Sequence, residues 1–260
     1  MLRKDVFRSA FATSSDGNST VDPAEIDRFS RLAEEWWKPN GAFKLIHEFN
    51  AARVGYLLIR LPQLFGRDPN MPEPLKGLRL LDVGCGAGIV SEQMSRSGAT
   101  TLGIDASEKN ILIAADHAGK YHSSVQYRHA LPSDLANEGE CGDVVLTLEV
   151  VEHVANLERF VGDVAELVRP GGILVIGTLN RTARSFVKAI IGAEYLLGWL
   201  PRGTHHWGKF VKPAELERML VSLGFALIET EAVELNPFTM RWRVGGRPTT
   251  NYVQLYRRNE

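Results

Sequence analysis

The run Asp82-Val83-Gly84-Cys85-Gly86-Ala87-Gly88, with Asp105 closing the next apolar stretch, constrains this chain more than any other segment. Leu78-Arg79-Leu80-Leu81 before it reads as a short buried strand, and Ile89 to Arg96 after it reads as a helix. The glycines let the chain turn sharply and bring bare backbone against a ligand. A strand, a glycine turn and a helix in that order belong to an open parallel sheet, which binds nucleotide-like ligands outside its strand ends. Asp105 ends Thr100-Thr101-Leu102-Gly103-Ile104 and is placed to accept both hydroxyls of a ribose.

Details of the loop select the nucleotide. The third glycine of a dinucleotide fingerprint is replaced by Ile89, and the Gly-Lys-Ser/Thr of a phosphate-gripping loop is absent. Asp82, two residues before Gly84, suits a cationic, phosphate-free ligand better than a pyrophosphate. S-adenosylmethionine carries an ammonium and a sulfonium, and an acid about 20 residues downstream completes its site. The cofactor-binding residues expected here are Asp82, Gly84, Gly86 and Asp105. The plainer alternative is a glycine turn that merely packs a helix close to a sheet.

The chain of 260 residues has a net charge of −1, which provides no general field for nucleic acid or an anionic membrane, so no nucleic-acid partner is expected. Cys85 and Cys141 make neither a disulfide framework nor a zinc-type pair. No stretch reaches the roughly 20 apolar residues of a spanning helix. Residues 1–20 are rich in Ser, Ala, Arg and Lys, and read either as a flexible tail or as a short targeting peptide, with Asp5 and Asp16 against the latter. Residues 21–260 read as a single domain.

Asp22-Pro23-Ala24-Glu25 has the form of a capping box, with Asp22 as N-cap and Glu25 at N3. Its helix is expected to reach Trp36-Trp37, and a second helix spans about 43–64, so that 21–74 forms a helical cap. Strands are expected at 78–83, 99–105, 125–130, 143–149, 172–179, 225–233 and 251–258. Helices are expected at 88–97, 107–120, 156–168 and 212–222, with a helical insertion within 181–210. This alternation predicts an α/β, Rossmann-like, doubly wound and mostly parallel seven-stranded sheet with an antiparallel edge strand.

A second constellation, Glu149-Val150-Val151-Glu152-His153, ends the strand 143–149. If Val150 begins a helical turn, two carboxylates and an imidazole converge. Oxygen and nitrogen donors with open positions suit Mg²⁺ or a similar divalent ion rather than a closed zinc site. Such an ion would hold adjacent catechol oxygens and lower the pKa of the one to be methylated. Alternatively, His153 only orients the loop. Leu148 either lies beside the adenosine or is ordinary strand core. Arg53 is either a fork for the cofactor's methionine carboxylate or a surface arginine. His47 and His205 are candidate bases or structural histidines, and Trp36-Trp37 is a candidate pocket floor or core pair.

The chain resembles the ubiquinone-biosynthesis O-methyltransferase family. The likeness runs from about Asp22 to Asn259 through Trp36-Trp37, Phe43-Lys44-Leu45-Ile46-His47 and Asn50-Ala51-Ala52-Arg53. It continues through Thr178-Leu179-Asn180-Arg181, Gly192-Ala193-Glu194-Tyr195, Pro201-Arg202-Gly203-Thr204-His205, Phe210-Val211-Lys212-Pro213-Ala214-Glu215-Leu216 and Asn251-Tyr252. Leu45 and Ala51 stand where the family usually has proline, which touches the path of the N-terminal cap.

The resemblance implies methyl transfer to a ring hydroxyl of a polyprenylated catechol, either a dihydroxybenzoate or demethylubiquinol. It implies S-adenosylmethionine contacts at Arg53, Gly84, Asp105 and Leu148, and catalytic and metal-ligating roles for Glu149, Glu152 and His153. The apolar run 185–200, flanked by Arg181, Arg184 and Arg202, reads as a peripheral membrane contact, an active-site cover or a dimer face. The expected location is the matrix face of the mitochondrial inner membrane, or the cytoplasmic side of a bacterial inner membrane, beside other ubiquinone-biosynthesis proteins. A small-molecule N- or C-methyltransferase, or a non-catalytic cofactor- and lipid-binding scaffold, is the alternative.

Overall fold

A computed structural model describes residues 19–32, 36–37, 44–182, 185, 207–236, 239 and 241–260. Two N-terminal helices, α1 (Pro23–Leu32) and α2 (Lys44–Leu64), precede β1 (Arg79–Val83), α3 (Ile89–Arg96), β2 (Thr100–Asp105) and α4 (Glu108–Lys120). There follow β3 (Gln126–His129), α5 (Pro132–Asn137), β4 (Gly142–Leu148), α6 (Leu157–Glu166) and β5 (Val168–Leu179). The chain closes with α7 (Pro213–Ser222), β6 (Phe225–Asn236), β7 (Arg241–Val244) and β8 (Asn251–Arg258).

The strands form one sheet in the order β3-β2-β1-β4-β5-β8-β6-β7. β1 to β5 are parallel, β8 runs antiparallel between β5 and β6, and β7 pairs antiparallel with β6. The sheet therefore has eight strands rather than seven; β8 and β7 run antiparallel to their neighbours, β8 inside the sheet and β7 as the expected antiparallel edge. The expected α/β architecture otherwise holds.

Adjacent side chains of each central strand feed opposite layers, as the two-residue strand period requires. Leu81, Val145 and Leu174 pack with Phe160, Val161 and Val164 of α6 and with Leu216 and Leu220 of α7. Leu80, Val144 and Val175 pack with Leu57 and Leu61 of α2 and with Met94 of α3. Both faces are thus covered, which is what an almost unbroken apolar β4 demands. Chain order reverses between β1 and β4, so their C-terminal ends open the crevice where such sheets bind ligands.

Residues 1–18 and 186–206 lie outside the described residues, and with them most of the expected tail, the apolar run 185–200 and His205. No helix among the described residues is long and apolar enough to cross a membrane.

Candidate active site

The glycine loop springs from β1 and is tied to β2. Gly84 N and Cys85 N both donate to the Ile104 carbonyl, at 2.8 and 2.9 Å. The Asp105 carboxylate then accepts Gly86 N at 2.9 Å, Ser107 N at 2.8 Å and Asn110 Nδ2 at 3.2 Å. Asp105 therefore shapes the loop and starts α4 as well as bordering the crevice. Burial raises its pKa, while these donors favour the charged form. Gly84 and Gly88 are obligatory for a second reason besides their φ of +75° and +86°. A Cβ on Gly84 would collide with Val150, and one on Gly88 with the Tyr127 hydroxyl.

Asp82 lies beneath the loop and not on its surface. It is buried and accepts a 2.5 Å hydrogen bond from Ser91 of α3. Burial, with Asp105 nearby, pushes its pKa up to about 6, against the pull of Ser91 and Arg53.

Arg53 is not a surface arginine: it is 3% exposed. Its Nη1 donates to Glu149 Oε1 at 2.6 Å and its Nη2 to Asn50 Oδ1 at 2.5 Å, and the guanidinium lies 4.0 Å over the Phe49 ring. Asn50 and Arg53 share a face of α2 because they are three residues apart. Burial lowers the arginine's pKa, and the charges of Glu149, Glu152 and Asp82 raise it. Leu148 packs into the α2 side of the core, so its side chain takes the strand-core role while its position ends β4 at the crevice.

The acid turn begins at Glu149, whose φ of +59° is rare for a residue with a Cβ. Its N–H donates to the Gly177 carbonyl, and His153 N to that of Val150 closes the turn, both at 2.8 Å. Glu152 is buried, accepts Thr178 Oγ1 at 2.8 Å, and has its Oε1 shut from solvent without a hydrogen-bond partner. Burial and the neighbouring Glu149 charge push its pKa up to about 7. His153 Nδ1 lies 3.0 Å from Glu25 Oε2 of α1, and its ring meets Phe29 edge-on at 5.0 Å.

The expected convergence of Glu149, Glu152 and His153 is therefore not what this structure shows. The turn forms, but Glu149 is drawn to Arg53 and His153 to Glu25. Among the described residues, no group of three His, Cys, Asp or Glu side chains is disposed to hold a metal ion. The unpartnered Glu152 oxygen is an acceptor that a cation would satisfy, yet the three donors as placed do not fit a three-ligand site.

Several site contacts were not foreseen. The Glu25 carboxylate turns to Arg28 and His153, while the Asp22 carboxylate accepts the backbone N–H of Ala24 at 3.2 Å and of Glu25, as an N-cap does, and takes Lys209 Nζ at 2.9 Å. Trp37 stacks on His117 of α4 with ring centroids 3.3 Å apart and planes 5° from parallel, and its Nε1 donates to Ala87 of the glycine loop at 3.0 Å. His117 Nδ1 in turn lies 2.6 Å from buried Glu92. His47 binds the Trp36 carbonyl at 2.7 Å, the structural role of its two alternatives. The N-terminal segment thus roofs the crevice between the glycine loop and the acid turn.

The chain is similar to known proteins. A family model described as "Methyltransferase domain" matches residues 51–230. The ubiquinone biosynthesis O-methyltransferase of Mesorhizobium japonicum is 48% identical over 237 residues, covering 91% of this chain and 95% of the relative. The chain belongs to the ubiquinone biosynthesis O-methyltransferase family. That of Sinorhizobium fredii is 46% identical over 245 residues, covering 94% and 99%. Among solved structures, the magnesium protoporphyrin IX methyltransferase of Synechocystis with bound S-adenosylhomocysteine has the same fold. Its TM-score is 0.63 at 20% identity, covering 91% of this chain and all of that one. As a member of the family the protein is an S-adenosylmethionine-dependent methyltransferase.

Proposed function

We propose that this ubiquinone biosynthesis O-methyltransferase moves the sulfonium methyl of S-adenosylmethionine to a ring hydroxyl of a polyprenylated catechol, through one domain spanning 21–260. The observation that carries the reading is the contact of the two loops. Val150 packs on Gly84 so closely that no Cβ fits, which sets the Glu149–His153 turn directly against the cofactor loop. Asp105 would take the ribose hydroxyls, Arg53 the methionine carboxylate, and Gly84, Gly86 and Leu148 would line the adenosine side.

In-line displacement needs the acceptor oxygen, methyl carbon and sulfur collinear and the oxygen deprotonated. The glycine loop would hold the sulfur end. The turn would supply proton acceptors, among them Glu152, whose affinity for a proton is raised by burial and by the Glu149 charge. Glu25 and Phe29 of α1 hold the His153 ring in place. Donor chemistry and family resemblance support a divalent ion at Glu149, Glu152 and His153; the observed placement does not, and no step here depends on one.

The substrate's prenyl tail supports a peripheral contact with the inner membrane through 185–200, next to other enzymes of the pathway. Co-sedimentation with anionic liposomes tests this: deletion of 185–200 abolishes it, and undiminished binding refutes that assignment. The reaction is tested by methyl transfer to a short-chain prenylated catechol and to its monophenol analogue, with and without excess chelator. Turnover of the catechol alone supports the reading, and turnover of neither sinks it. Loss on chelation with recovery in Mg²⁺ assigns the metal to the turn, and chelator-proof turnover removes it.

A further inference from the structure

The buried Arg53 guanidinium gives Nη1 to Glu149 and Nη2 to Asn50, and its Nε is buried without a hydrogen-bond partner. Arg53 is fixed by Asn50 and Phe49 and cannot follow a departing partner, whereas the Glu149 side chain is 30% exposed and enters from the open side of the crevice. Glu152 and Asp82 also act on the same cation. Glu149 sits in the left-handed region, held by the bond of its N–H to the Gly177 carbonyl, a conformation that persists in residues with a Cβ only where the surroundings enforce it. A cofactor carboxylate arriving at Arg53 would meet Glu149 on the same Nη1 edge, and two carboxylates there repel.

We propose that Glu149 is an internal stand-in for the cofactor's carboxylate: it holds Arg53 until S-adenosylmethionine binds, and is then displaced toward the acceptor side of the crevice. This rests on the reading of Arg53 as the carboxylate fork. It makes cofactor binding the first step, because only displacement frees the Glu149 carboxylate for the acceptor. Glu149 is thus a positioning residue for Arg53 in the free enzyme and takes up its acceptor-side role only afterwards.

Calorimetry on the full chain tests the exchange, with S-adenosylhomocysteine as one probe and 5′-methylthioadenosine, which lacks the amino-acid carboxylate, as the other. Glu149→Gln removes the competing charge and is expected to tighten S-adenosylhomocysteine about tenfold, since Arg53 then has lost its paired carboxylate and the ligand's need not displace one. The affinity for 5′-methylthioadenosine is expected to stay within about twofold. Glu149→Gly, which suits the φ of +59°, gives the same pattern in a variant that relieves the backbone. Unchanged or weaker S-adenosylhomocysteine binding in both variants overturns the exchange. Arg53→Met separates this from failure of the underlying assignment. If it weakens only the carboxylate-bearing probe, Arg53 is the fork. If it weakens both probes alike, the fork itself is wrong and the exchange falls with it. Methyl transfer to catechol, measured separately, reports on the reaction and not on the exchange.

Discussion

Replacing Asp105 by Asn changes one atom, and the surrounding donors determine what that atom costs. The carboxylate accepts from Gly86 N on one oxygen and from Ser107 N and Asn110 Nδ2 on the other. An asparagine keeps its oxygen toward the pair of donors, so its NH₂ faces the Gly86 N–H. One charge-assisted bond is lost, worth about 1.5–3 kcal/mol, and the two remaining bonds become neutral. The ribose also loses half of its acceptor pair. The weakening of cofactor binding from the lost ribose acceptor is about 1.5–3 kcal/mol, or roughly 10- to 150-fold in Kd. Calorimetry with S-adenosylhomocysteine reads the affinity, and urea unfolding reads the lost loop bond as about 1.5–3 kcal/mol in fold stability. A Kd within about twofold of the parent refutes the assignment of Asp105 to loop and ribose alike.

Gly86→Ala meets open space and costs only the left-handed strain of about 1–2 kcal/mol, whereas Gly88→Ala adds collision with Tyr127 and costs at least about 3; equal losses in urea unfolding contradict this. Asp82 has a folded pKa of about 6 against an ordinary 3.8, so the native state binds its proton more tightly. Its contribution to stability is therefore lost as pH rises from about 4 to about 6, and Asp82→Asn removes that slope from a plot of urea midpoints; identical slopes refute it. Trp37→Ala removes the His117 stack and the bond to Ala87, together about 1–2 kcal/mol of roof closure, and is expected to speed cofactor release about 5- to 30-fold in stopped-flow. An unchanged release rate shows that the roof does not gate the cofactor.

The parts of this molecule legible in its sequence are those set by local chemistry. The glycine loop, Asp105 and the strand–helix alternation each follow from residues within a turn or two of one another. Short elements escaped: β7 has four residues, and α5 has six, although Pro132 at N1 and Asp134, whose Oδ2 accepts Leu131 N at 2.8 Å, marked its start. The order of the last strands was not legible, because the final hairpin-like pattern does not reveal which of them inserts beside β5.

At the site, sequence proximity misled in one direction and distance in the other. Glu149, Glu152 and His153 lie within five residues, yet the left-handed Glu149 sends its carboxylate to Arg53, 96 positions earlier. Glu25 carries the signature of a capping box, but a partially desolvated imidazole offers its carboxylate a stronger partner than a helix-end amide does. Asn50 stood inside a segment already singled out, and its i,i+3 spacing to Arg53 was the signal for the pair that holds the guanidinium.

The central claim is tested most directly by where the methyl group goes. The protein is incubated with S-adenosylmethionine labelled at its methyl and a short-chain prenylated catechol, and the product is resolved by mass spectrometry and NMR. The account predicts one labelled methyl on a ring oxygen, with the cofactor converted to S-adenosylhomocysteine in equal amount. Label on a ring carbon, or cofactor binding without any methylated catechol, contradicts it.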